Sequence, residues 1–335
     1  MERRKFIRST TTASLSVTLG GAITAVHAAG SPSAPPSNRG SFAVDANRVR
    51  FYSPAVKESF KVLVIADTHL FKDDDRGEPF QQFSGRMAKA YNETVHFQSG
   101  APTNPEQSFA EALKYGKQSE IDLLALVGDI FSFPSEAAID WVQGQLKQAG
   151  LPYLYTAGNH DWHYEGMKGS LKTLRDTWIE KRLKPLYQGN HPLMAAYEVK
   201  GITFLAIDNS HYQILPEQLE FFRNHVSRGK PMVLMAHIPL FAPGRPTGFG
   251  CGHPDWSAKT DHNHELERRP KWPESGHTAV TMDFHREVFA APNLLGVFAG
   301  HIHRQSIDVM NGIPQFVTNA NATGAFMDVE FLPTE

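Results

Sequence analysis

The 335-residue sequence predicts an α/β layered fold on the strength of three features. Short apolar runs of strand length alternate along the chain with amphipathic stretches of helix length. The runs have the composition of strands that are buried on both faces. Hydrophobic residues make up 41% of the chain and charged residues 20%, an ordinary globular balance that disfavours disorder and a polytopic membrane protein.

Six apolar runs are predicted as strands, at residues 61–66, 121–127, 153–156, 202–207, 232–236 and 294–299. Helices are predicted between them, at residues 105–118, 134–149, 216–227 and 280–290. Several of these helices would begin at a proline, which suits the first turn because that position needs no backbone N–H. Gly150 would end the second helix.

Residues 1–28 have the features of an export signal. Arg3 and Arg4 precede a short apolar stretch, and small residues suited to cleavage end at Ala28. The paired arginines resemble a bacterial twin-arginine signal, which implies the twin-arginine export machinery as a partner and a periplasmic or secreted protein. A general secretory signal or a charged tail is the alternative. The apolar stretch is too short and too polar for a membrane span, which takes about 20 mostly apolar residues.

The rest of the chain divides into a linker at residues 29–49, rich in Gly, Pro and Ser, and one domain at residues 50–335. The net charge of -2 carries no basic bias, so a nucleic acid duplex is not expected as a partner. Cys251 is the one cysteine, which excludes an internal disulfide.

Carboxylate, imidazole and amide side chains follow five of the predicted strands. In α/β folds the functional site lies beyond the carboxyl ends of the strands, so these positions are the first to inspect. The residues there are Asp67 and His69, Asp129, Asn159 with His160 and Asp161, His237, and His301 with His303. A single such residue is usually a turn or cap residue, but five coincidences in one chain predict a shared site.

The spacing and chemistry of these residues suit metal binding. Residues two apart in extended chain point the same way, so Asp67 can act with His69, and His301 with His303. Glycines at positions 128, 158 and 300 precede candidate ligands, where they permit sharp turns and close backbone approach. A ligand set without thiolate favours Mn, Fe, Zn, Co or Ni and argues against a structural cysteine-zinc site.

In their order along residues 61–303, these motifs resemble the full motif set of the calcineurin-like metallophosphoesterase superfamily. The resemblance implies a four-layer α/β/β/α sandwich that holds two divalent metal ions. The implied ligands are Asp67, His69 and His303 for the first ion, Asn159, His237 and His301 for the second, and Asp129 as a bridge between them.

The implied reaction is hydrolysis of a phosphate ester. Two metal ions lower the pKa of a bridging water, so hydroxide is available near neutral pH, and they neutralise charge on the phosphoryl oxygens during in-line attack. By the same resemblance, His160 stabilises the transition state or protonates the leaving group, and Asp161 orients it. A histidine pKa of roughly 6.5 suits that task.

Departures from two other branches of the superfamily disfavour those branches, and the resemblance to a third implies a small-molecule phosphodiester as the substrate. Similarity to purple acid phosphatases would require Gly at position 69 and Tyr at position 132, where this chain has His69 and Ser132. Protein serine/threonine phosphatases would have an Asp-Arg pair where Ser132 and Phe133 stand. The motifs are most similar to the branch that includes cyclic-nucleotide phosphodiesterases. A phosphomonoesterase for nucleotides or sugar phosphates is the enzyme alternative, and a catalytically silent binding module of the same fold is the non-enzyme alternative.

Two insertions interrupt the alternation of strands and helices. Residues 245–277 are rich in Gly, Pro, His and charge, and we expect a lid beside the metals that contacts substrate, with a solvated loop as the alternative. Within them, Arg268 and Arg269 could supply the extra positive charge that a monoester needs.

Residues 71–104 carry an acidic run predicted as a solvated face rather than a third metal site. Asp208 and Asn209 are predicted as a turn or as support for the ligands.

Overall fold

The computed structural model describes residues 40–334. The predicted export signal and residues 29–39 of the predicted linker lie outside this range. Among the helices of residues 40–334, none combines the length and the apolar character that crossing a membrane requires.

Two mixed six-stranded sheets form the framework of the described residues. In spatial order, the first sheet consists of β1 (Ser41–Asp45), β2 (Arg48–Ser53), β14 (Met327–Pro333), β3 (Phe60–Ile65), β6 (Leu123–Val127) and β7 (Tyr153–Thr156). The second consists of β12 (Ser306–Met310), β13 (Ile313–Val317), β11 (Leu294–Ala299), β10 (Met232–Met235), β9 (Ile202–Ile207) and β8 (Met194–Val199). A separate ribbon pairs β4 (Thr94–Val95) with β5 (Pro102–Thr103).

The two sheets pack face to face through an apolar layer. Along β3, Val62 and Val64 point into this layer, whereas Leu63 and Ile65 point to the outer face, as the two-residue period of a strand requires. Phenylalanine rings from both sheets fill the layer, and the rings of Phe51 on β2 and Phe316 on β13 lie 5.5 Å apart.

Helices cover both outer faces. On the first sheet lie α3 (Pro105–Gln118), α4 (Glu136–Ala149) and α5 (Leu171–Trp178), and on the second lie α6 (Pro216–Ser227) and α8 (Ala279–Val288). The shorter helical segments are α1 (Gln81–Ser84), α2 (Met87–Ala90), α7 (Asn263–Leu266), the 3₁₀ turns Asp75–Phe80, Lys184–Tyr187, Thr247–Phe249 and Asn321–Thr323, and the π turn Ile179–Leu183. The result is the α/β/β/α sandwich that the sequence resemblance implied.

Local signals set the ends of the helices that the sequence predicts. α3 and α6 have the predicted bounds, and the Asn104 side chain caps α3 by accepting a hydrogen bond from the backbone N–H of Gln107. α4 begins two residues later than predicted because Ser135 is its N-cap, and it ends at Ala149, followed by Gly150 as the C-cap with a φ of 68°.

The structure also contains strands that the sequence analysis missed. β8 and β12 are edge strands with partly exposed residues. β14 alternates buried with half-buried residues. None of these three strands is therefore a continuous apolar run. β14 nevertheless lies inside the first sheet, between β2 and β3. The predicted linker at 29–49 needs correction, because β1 and the start of β2 lie within it and pair as a hairpin.

The central strands bring the predicted site together. β3, β6 and β7 are parallel neighbours, and so are β9, β10 and β11. Their carboxyl ends therefore lie at one edge of each sheet. All five loops with predicted ligands leave from these ends.

Candidate metal centre

The five loops bring the predicted ligands into one cluster. Three groups of side chains each have candidate ligand atoms within 4.8 Å of one another. The groups are Asp67 with His69 and His303, His69 with Asp129 and His160, and Asp129 with His237 and His301. His69 and Asp129 each belong to two of the groups, and of these two only Asp129, with its two carboxylate oxygens, could bridge two ions.

Several of these residues have an unusual backbone conformation. The φ angles are 56° for Asp67, 49° for His69, 50° for Asp129, 70° for His301 and 55° for His303. Such conformations cost about 1–3 kcal/mol each, and they persist only where the surroundings hold them, as at functional sites. Backbone hydrogen bonds hold the loops here, from Asp67 N to Gly128 O at 3.0 Å and from His69 N to Asp129 O at 2.9 Å.

Two glycines make room for the carboxylates. A Cβ atom on Gly158 would lie 2.2 Å from Asp129 Oδ1, and one on Gly300 would lie 2.6 Å from Asp67 Oδ2. No side chain fits at these distances, so glycine is required for the carboxylates to stand where they do. The predicted role of these two glycines in close backbone approach is confirmed.

One half of the cluster contains Asp67, His69 and His303. His303 Nε2 lies 3.4 Å from Asp67 Oδ1 and 2.9 Å from His69 Nε2. Burial and the charge of His303 hold the pKa of His69 well below 6.5. Against the lowering effect of burial, Asp67 raises the pKa of His303. The Asp67 carboxylate thus lies beside two imidazoles, of which His69 has the lowered pKa and His303 the raised one. A divalent ion bound here would take the place of a proton on these groups.

The other half contains Asp129, His237 and His301. Asp129 Oδ2 lies 3.1 Å from His237 Nε2. His237 Nδ1 lies 2.9 Å from the carbonyl oxygen of Val127, a contact that directs Nε2 at the carboxylate. Against the lowering effect of burial, the charge of Asp129 and its hydrogen bond raise the pKa of His237 to about 10.

Asn159, which the resemblance implies as an amide ligand of this second half, lies next to His160 in the loop after β7. Its Oδ1 is buried and has no hydrogen-bond partner within residues 40–334, while its Nδ2 donates to Glu267 Oε2 at 3.1 Å. A buried carbonyl oxygen without a partner costs about 1–3 kcal/mol. A cation would satisfy this oxygen, so the donor set of carboxylate, imidazole and amide fits the divalent ions that the sequence predicts.

His160 lies in the cluster, but the predicted role of Asp161 needs correction. His160 Nδ1 is buried without a hydrogen-bond partner in the described part of the chain. The Asp161 carboxylate instead accepts backbone N–H groups, from Gly158 at 2.7 Å, Phe131 at 2.8 Å and Asp129 at 3.0 Å. Asp161 therefore holds the loops after β6 and β7 together. The reason is that the buried amides of these sharp turns need an acceptor.

The insertion at residues 245–277 has a buried aromatic centre and an exposed outer surface. Trp256 and Trp272 are buried, and both indole N–H groups donate to Asp261 Oδ2, at 2.8 and 3.1 Å. The insertion reaches the cluster through Glu267, which binds Asn159. Arg269 is buried in an ion pair with Glu267. Contact with substrate stays a prediction.

Three residues near the cluster escaped the sequence analysis. The ring of Tyr91, from the insertion at 71–104, stacks on His69 with centroids 4.2 Å apart and planes 14° apart. Tyr212 Oη lies 2.5 Å from His301 Nε2, and Glu267 binds Asn159. No local motif marks these residues, because their contacts arise only when distant segments meet.

The support predicted for Asn209 is confirmed. Its side-chain amide bonds both backbone groups of Ile238, donating to the carbonyl oxygen at 2.6 Å and accepting from the N–H at 3.0 Å. This amide bridge holds the loop next to His237.

Comparison with known proteins identifies one family. The family model described as calcineurin-like phosphoesterase matches residues 60–305, well over half of the chain.

The chain is also similar to three known proteins. A Moraxella catarrhalis protein named "Probable cyclic nucleotide phosphodiesterase" is 28% identical over 107 residues, which are 32% of this chain and only 29% of that protein. A dimetal phosphatase from Danio rerio is 13% identical with a TM-score of 0.48, over 80% of this chain and 91% of that one. A purple acid phosphatase from yellow lupin is 14% identical with a TM-score of 0.45, over 83% of this chain and 46% of that one.

Proposed function

Since the chain belongs to the calcineurin-like phosphoesterase family, we propose that it hydrolyses phosphate esters with two divalent metal ions and prefers phosphodiesters. The observation that carries the proposal is the buried cluster in which Asp129 stands between two groups of candidate ligands. One carboxylate can bridge two ions about 3.5–4 Å apart.

The proposed ligands divide between two sites. We assign Asp67, His69 and His303 to the first ion, Asn159, His237 and His301 to the second, and Asp129 to both. Bound there, the ions would supply positive charge for the phosphoryl oxygens and a water of lowered pKa. Ligands bind metals in their deprotonated forms, so His237 and His303 must release protons, and metal affinity should rise with pH.

His160 is the proposed catalytic residue outside the ligand set. Burial and the charge of Arg269 hold its pKa well below 6.5, so the ring is neutral near pH 7 in the metal-free protein. A neutral imidazole still carries one N–H, which can donate a hydrogen bond to a phosphoryl or leaving-group oxygen. The backbone N–H of His160 donates to Asp129 Oδ1 at 2.7 Å, which fixes the residue beside the bridge.

Two observations support a phosphodiester over a monoester. A monoester is a dianion and would need further cations, but the Arg269 guanidinium is paired with Glu267 and Arg268 is exposed. The Moraxella relative is named a phosphodiesterase, although the alignment covers less than a third of it. The phosphomonoesterase stays the alternative.

The test is a comparison of two chromogenic substrates. Protein reconstituted with Mn²⁺ would be assayed on bis(4-nitrophenyl) phosphate and on 4-nitrophenyl phosphate, with Asp129→Asn as the blank. Faster hydrolysis of the diester is the expected result. Faster hydrolysis of the monoester would favour the alternative, and no metal-dependent hydrolysis of either would overturn the proposal.

We also propose export through a twin-arginine signal at residues 1–28, on the sequence alone. Fractionation of the native host tests it, with uncleaved protein in the cytoplasm as the contrary outcome. Substitution of Arg3 and Arg4 by Lys should block export.

A further inference from the structure

Asn159 is held at two points by one ion pair. Its side-chain Nδ2 donates to Glu267 Oε2 at 3.1 Å, and its backbone carbonyl oxygen accepts from Arg269 Nη2 at 2.7 Å. Glu267 and Arg269 are themselves paired. The amide orientation is therefore set, because the oxygen has to point away from the Glu267 carboxylate. That oxygen, Oδ1, is the buried atom without a partner.

His301 is held in a similar way. The Tyr212 hydroxyl lies 2.5 Å from His301 Nε2, so Nδ1 is the ring nitrogen left for the cluster. The Tyr212 ring stacks on Trp256 of the insertion, with centroids 5.4 Å apart and planes 14° apart. Two ligands proposed for the second ion thus depend on residues 245–277, one directly and one through Tyr212.

The supporting residues pack against buried aromatic side chains. Trp256 and Trp272 share Asp261 as a hydrogen-bond acceptor, and both rings are buried. The Arg269 guanidinium lies over the Trp162 ring, 5.4 Å from its centroid. A buried, paired and stacked arginine has few conformations available, so it can fix the position of its partner.

We infer that Glu267, Arg269 and Tyr212 are positioning residues for the second metal ion, so that the insertion at 245–277 sets the affinity of this ion and not that of the first. The inference rests on the two-metal function proposed above. Residues that orient metal ligands typically contribute about 10- to 100-fold in metal affinity.

The experiment is a Mn²⁺ titration of the full-length protein, followed by electron paramagnetic resonance and by metal analysis after dialysis. The variants are Glu267→Gln, which removes the charge that pairs with Arg269, and Tyr212→Phe, which removes only a hydroxyl. Glu274→Gln is the matched control, because Glu274 is exposed in the same insertion and pairs with Lys271. We expect both variants to bind the second ion about 10- to 100-fold more weakly and the first ion unchanged, with the control like wild type.

The outcomes separate the inference from the proposed function. Two ions bound with wild-type affinity by both variants would overturn the inference and leave the two-metal function standing. Equal weakening of both ions would also overturn it, since that is a general structural effect. A wild-type protein that binds fewer than two ions would overturn both. If Glu267→Gln does not fold, as judged by thermal unfolding, Tyr212→Phe decides.

Discussion

The two halves of the candidate metal centre are held by different parts of the chain. Around Asp67 the contacts come from the framework loops, with the His301 backbone N–H donating to the Asp67 carboxylate at 2.8 and 3.0 Å. Around Asn159 they come from side chains of the insertion at 245–277. The hydrogen bonds of the first half thus come from the sandwich itself, with a single ring contact added by Tyr91, whereas those around Asn159 come from an inserted segment that can vary without changing the fold.

Replacing Asp129, the residue common to both halves, should have the largest effect. Asp129→Asn removes the carboxylate charge that faces His237 and His69, at 3.1 and 3.9 Å. We expect metal loss from both halves and hydrolysis no faster than that of the metal-free protein. Metal analysis and the diester assay check this. Retention of one ion would contradict the prediction, because it would show that the two halves do not share Asp129 as a ligand.

His160 belongs to neither set of proposed ligands, so its replacement should separate chemistry from metal binding. His160→Ala should keep both ions and lower kcat about 10²- to 10³-fold, the usual cost of removing one hydrogen-bond donor that stabilises charge in the transition state. Metal content and kcat are measured on the same sample. Metal loss as large as that of Asp129→Asn would show that His160 is a ligand instead.

Without metal, the charges of the cluster should make stability depend on pH. The pKa of His237 is raised to about 10 in the folded protein, from 6.5. The interaction of protonated His237 with Asp129 contributes its full stability below pH 6.5, and this contribution is lost as the pH rises through about 10. The free energy of unfolding of the metal-free protein should therefore fall over this range.

Urea unfolding at pH 6 and pH 10 checks this prediction, with chelator-treated and metal-loaded protein side by side. Asp129→Asn is the control, because it removes the charge that raises the pKa of His237. Equal stability of the metal-free protein at both pH values would contradict the prediction.

The smallest effect should come from Tyr91, which touches the first half only. Tyr91→Ala removes a ring stacked 4.2 Å from His69, a type of contact that contributes about 0.5–1.5 kcal/mol. We expect the first ion to bind up to about tenfold more weakly and the second to be unchanged. Tyr91→Phe, which keeps the ring, should bind both ions like wild type. The Mn²⁺ titration measures this, and weaker binding of the second ion alone would contradict the prediction.

Sequence patterns predicted the buried parts of the fold well. β7, β9 and β11 have the predicted bounds, because a buried parallel strand is a continuous apolar run. β14 was missed although it lies inside the first sheet, because it alternates buried with half-buried residues and pairs with strands more than 260 residues earlier in the chain.

In the candidate site, too, the local features could be predicted and the contacts between distant segments could not. The predicted ligands converge because each follows a strand, and parallel strands present their ends together. The partner of Asp161 could not be predicted from its neighbour His160, because unpaired amides in the loops after β6 and β7 compete for its carboxylate. Glu267 and Tyr91 lie in insertions without local periodicity.

From the sequence alone, the buried central strands, the main helices, the candidate ligands and the family could be predicted. Those features are local, since they depend on apolar periodicity and on which residue follows a strand end. Three features became visible only in the folded chain: Asp161 accepts backbone N–H groups, Glu267 and Arg269 hold Asn159, and Tyr91 stacks on His69. Such contacts join segments far apart in the chain, and they depend on burial and hydrogen-bond satisfaction that no single segment specifies.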